Sequence, residues 1–442
     1  MYVKSLTFEN LKAFRELQFD FTRPDNTLQG WSVFVGGNAS GKSTILKAIA
    51  LILSGPIAGR QLIGSTAGWI TVGEKQGRAK VEILWDRKHD RFKPGGSPPT
   101  SRFEAGLVWK RENADEQAVL KEWEFRNAQR ARIQSANRGP WNPNAGAWFA
   151  CGYGPLRRLT GSSTEATRHA MAGGKEASMV TLFYEDAALT ESELWLKELQ
   201  FKALEKKPEA QALLEQVKTL LNDGLLPHGF RLERITSDHV FVKVGGNLEL
   251  PMRDLSDGCR GAYALMLDIL HHMAEAYGSD GLSEQDARNH WVVAKPGVIL
   301  IDEVESHLHP AWQRQICEWL KERFPRVQFF VTSHSPLIVQ AADPNGIFVL
   351  PLPTEKGKPR PLDEHEYERI RLGRAEKVLL GEAFNLQTTR GQWASKQITH
   401  WQELNAKKQA GVPLTRAESR NYRALEQQMG ITFEDSPESL HP

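Results

Sequence analysis

The chain has 442 residues, 40% of them hydrophobic and 25% charged, an ordinary balance for a globular protein of two or three domains. Its formal charge of +2 supplies no global field toward nucleic acid or an anionic membrane, so any such surface has to be local. No run approaches about 18 uninterrupted apolar residues and the N-terminus lacks a signal-peptide core, which predicts a cytoplasmic chain with no membrane partner. Cys151, Cys259 and Cys317 are scattered without C-x-x-C spacing, which excludes a zinc ribbon or hook built from cysteines.

In chain order, the first thirty or so residues alternate like two short strands, one around Val3, Leu6 and Phe8 and one around Leu17, Phe19 and Phe21, linked by Asn10–Arg15. Trp31–Val35 is a short apolar run that reads as a buried strand. Gly36-Gly37-Asn38-Ala39-Ser40-Gly41-Lys42-Ser43 follows it, and Thr44–Leu53 then repeats apolar side chains at helical spacing. This is the strand–loop–helix setting of a phosphate-binding loop. The glycines let successive backbone N–H groups turn onto a polyphosphate at the positive end of the helix dipole. The motif assigns Gly36, Asn38, Ala39, Ser40, Gly41, Lys42, Ser43 and Thr44 to nucleotide binding, with Lys42 on the β- and γ-phosphates and Ser43 on Mg²⁺.

Residues 79–85 and 103–109 look like further strands of an antiparallel lobe, separated by a Pro- and Gly-rich loop at 93–99. Between Phe125 and Thr164 the chain carries six arginines (126, 130, 132, 138, 157 and 158) and no acid, interleaved with Trp141, Trp148, Phe149 and Tyr153. Arginines on phosphates and aromatics on bases make Arg126–Arg158 the best local candidate for a DNA or RNA surface. The competing reading makes Ala147–Cys151 a core strand leading toward the nucleotide site. A charged amphipathic helical stretch follows at 191–222, alternation returns at 230–250, and a long helix is predicted from Leu255 to Tyr277. His271 and His272 lie inside that helix, face different directions and receive no role.

Gly297–Ile301 is a continuous apolar run ending in Asp302-Glu303, as in a central parallel strand whose C-terminal edge carries the ligand. Asp302 would hold Mg²⁺ through water, and Glu303 would orient and deprotonate the attacking water. Val327–Val331 is a second such strand, and His334 just beyond it would contact the γ-phosphate. His307 and His309 form an His-x-His pair with no third metal ligand nearby, so a turn with Pro310 opening the next helix is expected.

Leu255-Ser256-Asp257-Gly258-Cys259-Arg260-Gly261 resembles the signature motif of ATP-binding-cassette ATPases, with Ser256 and Gly258 in the positions that meet the γ-phosphate. With the phosphate loop, the Asp-Glu strand, the Glu305–Pro310 loop and His334 in that order, the chain resembles an ABC-type AAA family ATPase head of the RecF, SMC and OLD-like kind. Leu6–Arg15 and Leu308-His309-Pro310 strengthen the likeness, which covers roughly residues 1–350. The implied fold is α/β, a P-loop NTPase with an antiparallel β lobe, an inserted helical region and a C-terminal helical extension. Its parts are expected at 1–85, 86–250, 251–350 and 351–442.

The resemblance implies ATP and Mg²⁺ as ligands, Lys42, Glu303 and His334 as catalytic residues, and a head-to-tail dimer or higher oligomer in which Ser256 of one copy completes the site of another. The tail lacks the Asp-x-Asp of OLD-family nucleases, and Asp363-Glu364-His365-Glu366 reads as a solvated helix start, so no nuclease is expected in this chain. Compact heads of this sort resemble ATPase subunits of bacterial antiphage systems of the Septu, retron-associated or PARIS type. That implies a separate nuclease or toxin effector, docked by a helical tail carrying Trp393 and Trp401. A RecF-type repair clamp is the rival.

Overall fold

The computed structural model describes residues 1–92, 103–111, 118–125, 136–157, 176–185, 187, 189–226, 229–245, 248–279, 281–352, 354 and 357–433. The chain divides into two compact units, residues 1–384 and 385–442.

The first unit is built on a parallel sheet whose strands lie in the order Ile347–Val349, Trp31–Val35, Val327–Thr332, Gly297–Ile301 and Ala150–Tyr153, with Arg360–Pro361 antiparallel at one edge. Both faces of this sheet are covered, which is why its strands read as unbroken apolar runs. Successive side chains point to opposite faces. Val298, Leu300, Phe330 and Phe348 therefore enter one core, while Ile299, Ile301, Phe329 and Val331 enter the other.

The first core lies beneath a five-stranded antiparallel sheet ordered Phe14–Asp20, Tyr2–Leu11, Gln76–Leu84, Phe103–Lys110, Val119–Glu122. Phe19 and Phe21 of the N-terminal segment pack edge-on or tilted against Phe330 and Phe348, fixing one sheet on the other. Buried Gln328 completes that joint by accepting from the backbone N–H of Val3 and donating to its carbonyl, both at 2.8 Å. The link between the first two strands is shorter than the sequence suggests. Asn10 and Arg15 belong to the strands, and only Lys12 and Ala13 turn.

The second core is closed by helices Thr190–Leu204, Pro208–Asn222, Asp257–Tyr277 and Pro310–Arg323. The stretch expected at 191–222 is thus two helices, because Pro208 opens a second one at its first position. The alternating segment at 230–250 forms a three-stranded antiparallel sheet.

Lys42–Leu62 lies in the first core and breaks at Gly55, where φ is 88°. Pro56 has no N–H for the carbonyl of Ile52, and the indole of Trp141 donates to it instead at 2.7 Å. Among the described residues this helix alone is long and apolar enough to cross a membrane, and 67% of its apolar window is buried inside the fold.

The second unit contains the helices Gln392–Gln409 and Arg416–Phe433, which meet through Trp401 stacked on Tyr422. Trp393 is 70% exposed.

Candidate nucleotide site

The parallel register decides which residues meet. Val33 pairs with Val331, Val331 with Ile301, and Ile301 with Tyr153, so four strands end level with one another. The loop at 36–43, the His334 turn, the Asp302-Glu303 pair and Arg157 all leave the sheet at this edge. The charges of Asp302, Glu303 and Glu305 act on both Lys42 and Arg157.

Within the loop, Gly36 and Gly41 have φ of 155° and 96°, and Ala39 has 65°. A Cβ on Gly36 would lie 2.3 Å from the carbonyl oxygen of Leu350, and one on Gly41 would lie 2.5 Å from the ring of Phe14. The N-terminal strand pair thus presses directly on the loop, which gives the Asn-Leu-Lys-Ala-Phe-Arg segment its place. Lys42 is buried and donates to the carbonyls of Gly36 and Gly37, both at 2.9 Å. Burial draws its ammonium below the ordinary lysine range, against the pull of Asp302, Glu303 and Glu305. Ser40 is buried with a hydroxyl that has no partner among the described residues, whereas Asn38 and Ser43 are exposed and Thr44 is buried.

The Asp-Glu turn is held from two sides. Thr332 donates to Asp302 Oδ1 and accepts from the backbone N–H of Glu303 at 2.8 Å. Arg157, buried beneath the turn, donates to the carbonyls of Asp302, Glu303 and Val304 at 3.1, 3.0 and 3.3 Å. Burial lowers its guanidinium to about 10, so it still carries its charge at neutral pH. Glu303 has a left-handed φ of 46°, a conformation that a side chain with a Cβ adopts only when its surroundings impose it. Glu303 is half-buried and its carboxylate accepts from Ser306 at 3.2 Å. Beside it, Glu305 Oε1 accepts from the backbone N–H of His334, while Oε2 is buried with no partner among the described residues. His334 itself is exposed.

Residues 32–340 match the AAA_21 family, described as "AAA domain, putative AbiEii toxin, Type IV TA system". The chain belongs to this AAA family. It is 25% identical over 354 residues to the Septu protein PtuA of Bacillus mycoides (strain KBAB4), covering 79% of this chain and 40% of that protein. It is 32% identical over 120 residues to the "Retron Ec83 probable ATPase" of Escherichia coli, covering 27% of this chain and 20% of that protein. The chain thus spans less than half the length of these relatives. Among solved structures it is similar to an SMC head bound to the C-winged helix domain of ScpA, at 15% identity and a TM-score of 0.48, covering 82% of this chain and 98% of that one. The AAA chain sets the loop at 36–43 on a parallel sheet, beside an antiparallel lobe, with the segment 255–261 opening a long helix.

In this AAA fold the signature segment sits at the start of Asp257–Tyr277. Ser256 is the N-cap residue, exposed and making no capping hydrogen bond with its side chain. Gly258 is buried, and a Cβ there would lie 2.4 Å from the carbonyl oxygen of His307. The glycine therefore has a reason inside its own chain, the close approach of the signature turn to the Glu305–His307 loop. His309 caps the helix Pro310–Arg323 with its ring nitrogen, as a turn and helix start requires, and Asp363 and Glu366 form a capping box for Glu364–Leu372.

The reading of Arg126–Arg158 as a nucleic-acid surface needs correction. Arg157 is buried under the Asp-Glu turn, and Trp148, Phe149 and Tyr153 are core residues that cannot stack on bases. Arg126, Arg130, Arg132 and Arg158 lie outside the described residues. Arg157, Thr332 and Glu305 escaped the sequence reading because their partners are remote. The one available signal was the third acid of Asp302-Glu303-Val304-Glu305.

Proposed function

We propose that this chain binds ATP with Mg²⁺ at the C-terminal edge of its parallel sheet and hydrolyses it to ADP and phosphate. The observation that carries this reading is the convergence of a buried loop lysine, an Asp-Glu turn and His334 at one sheet edge. The residues fit such a ligand. A Cβ at Gly36 or Gly41 would collide with neighbours, Ser40 holds a buried hydroxyl unpartnered among the described residues, and the loop opens a helix whose N-terminus has no side-chain cap. Bound Mg²⁺ would neutralise developing charge on the phosphates, with Ser43 and Asp302 as its holders. Lys42 exchanges its two loop carbonyls for phosphate oxygens. Glu303, aimed by Thr332 and Arg157, accepts the proton of the attacking water. His334 senses the terminal phosphate.

The site is completed by Ser256 of a second copy placed head-to-tail. An exposed serine at the start of a 21-residue helix, free of a cap bond, suits an incoming anion. The assembly acts in antiphage defence as the sensor or scaffold that controls a separate nuclease or toxin. The likeness to a Septu protein and to retron ATPases supports this, and the exposed Trp393 supplies a docking anchor for that partner. The test is purification of Glu303→Gln from its native host with ATP, followed by native mass determination. A stoichiometric nuclease or toxin on an ATP-dependent oligomer is expected. A monomer that retains nothing, or a bare dimer that retains only DNA, would overturn the defence reading.

A further inference from the structure

A second polar cluster lies away from the phosphate loop, on the helix Asp257–Tyr277. Its sequence is Asp268-x-x-His271-His272-x-x-Glu275. Adjacent helical residues diverge by about 100°, which is why no shared role for the two histidines is legible in the sequence. The structure corrects that. Asp268 lies three and four residues before them, on the face between them, and their rings stack with centroids 5.1 Å apart. One ligand atom each from Asp268, His271 and His272 lies within 4.8 Å of the other two.

We propose that Asp268, His271 and His272 form a binding site for one divalent transition-metal ion of the zinc class. Nε2 of His272 is 3.5 Å from Oδ2 of Asp268. Ligand atoms of a tetrahedral zinc with bonds of about 2.0 Å stand roughly 3.3 Å apart, so this pair needs little movement. His271 contributes a buried Nδ1 with no hydrogen-bond partner among the described residues. The supporting groups that metal ligands require are already in place. Glu275 accepts from Nδ1 of His272 at 2.9 Å, and its other oxygen is 3.6 Å from Nε2 of His271. Tyr153 and Ser192 donate to the two oxygens of Asp268 at 2.8 and 2.6 Å. Trp195 stacks under His271 at 4.9 Å and gives the site an apolar wall. Two imidazoles and one carboxylate select zinc, cobalt or nickel over magnesium or calcium, which favour all-oxygen sites.

The ion would tie the signature helix to Ser192 of Thr190–Leu204 and to Tyr153 of the sheet's outer strand. Asp268 lies twelve residues beyond Ser256 on that helix. At 1.5 Å per residue that is about 18 Å along the helix, and none of the three proposed ligands is Ser43 or Asp302, the residues proposed to hold Mg²⁺ at the nucleotide.

The test uses the full chain, stripped with chelator and titrated with Zn²⁺ against a chromophoric competitor, then with Co²⁺ for its d–d absorption. One equivalent of each is expected, with the strong cobalt absorption of four- or five-coordination, and Lys42→Ala should retain it. The His271→Ala/His272→Ala double variant should lose that equivalent. Glu275→Gln keeps every ligand and should weaken binding about 10- to 100-fold. That graded loss reads the site even if the double variant folds poorly. Absence of uptake in the unaltered chain, uptake equal in both histidine forms, or no effect of Glu275→Gln would overturn the proposal.

Discussion

The two ends of the strand Trp31–Val35 are built on opposite rules. At its start, the carboxylate of buried Asp343 accepts from Gly30 N–H, Trp31 N–H, Arg23 and Lys321, at 2.6, 3.1, 2.5 and 2.8 Å. At its finish, Ser40 Oγ and, across the edge, Glu305 Oε2 are buried without partners among the described residues, Lys42 donates to two loop carbonyls, and Glu303 sits at a left-handed φ. A saturated carboxylate fixes structure. Unpartnered buried polar groups cost stability and persist where a ligand supplies the missing bonds. The same sheet therefore separates a saturated end from an unsaturated one, where the proposed nucleotide site lies.

Substitutions at the two ends should consequently fail in different ways. The largest effect is expected for Lys42→Ala, which should abolish measurable ATP binding in a titration while leaving the thermal unfolding of the ligand-free chain near its starting value. Asp343→Ala should do the reverse. Removing one member of a buried pair costs about 3–5 kcal/mol, read by urea unfolding at neutral pH, with ATP affinity retained by the folded fraction. Burial pushes the Asp343 carboxyl up, but Lys321 and Arg23 outweigh it and hold it below the ordinary carboxylate range. A depressed folded value means the contribution is fully present above the unfolded value of about 4 and lost as pH falls through the folded one. The gap between the original chain and Asp343→Ala should thus be widest near neutrality and narrow in acid. A constant gap down to acid would show that packing, not charge, ties the strand start. The smallest effect belongs to Arg157→Lys. A single ammonium cannot span three carbonyls as the guanidinium fork does, so turnover should drop roughly 10-fold with ATP affinity unchanged. Equal losses in affinity and turnover would mean that the turn positions nucleotide rather than water.

Much of the candidate site was legible in the sequence, and for a physical reason. Its loop, its Asp-Glu pair and its signature segment are each made from consecutive residues, since a turn that wraps a phosphate or ends a strand is local. The strands Trp31–Val35 and Gly297–Ile301 appear where their apolar runs stand. The supports were not legible. Arg157 acts on carbonyls 145–147 residues away, and Thr332 on residues 29 and 30 away, so only the parallel register discloses them. The interleaved aromatics misled for a related reason. Trp148, Phe149 and Tyr153 have the composition of a base-stacking surface, yet Tyr153 pairs with Ile301 in the core strand Ala150–Tyr153 and all three are buried. Tyr153 and Phe149 face the core that the signature helix closes, the same helix whose middle gathers Asp268, His271 and His272.

The most direct measurement is single-turnover hydrolysis of ATP by the unaltered chain and by Glu303→Gln at matched nucleotide occupancy. If Glu303 is the residue that activates water, the variant should bind ATP with unchanged affinity and hydrolyse it at least about 10²-fold more slowly. Equal rates in the two proteins would contradict the assignment of the sheet edge as the site of hydrolysis.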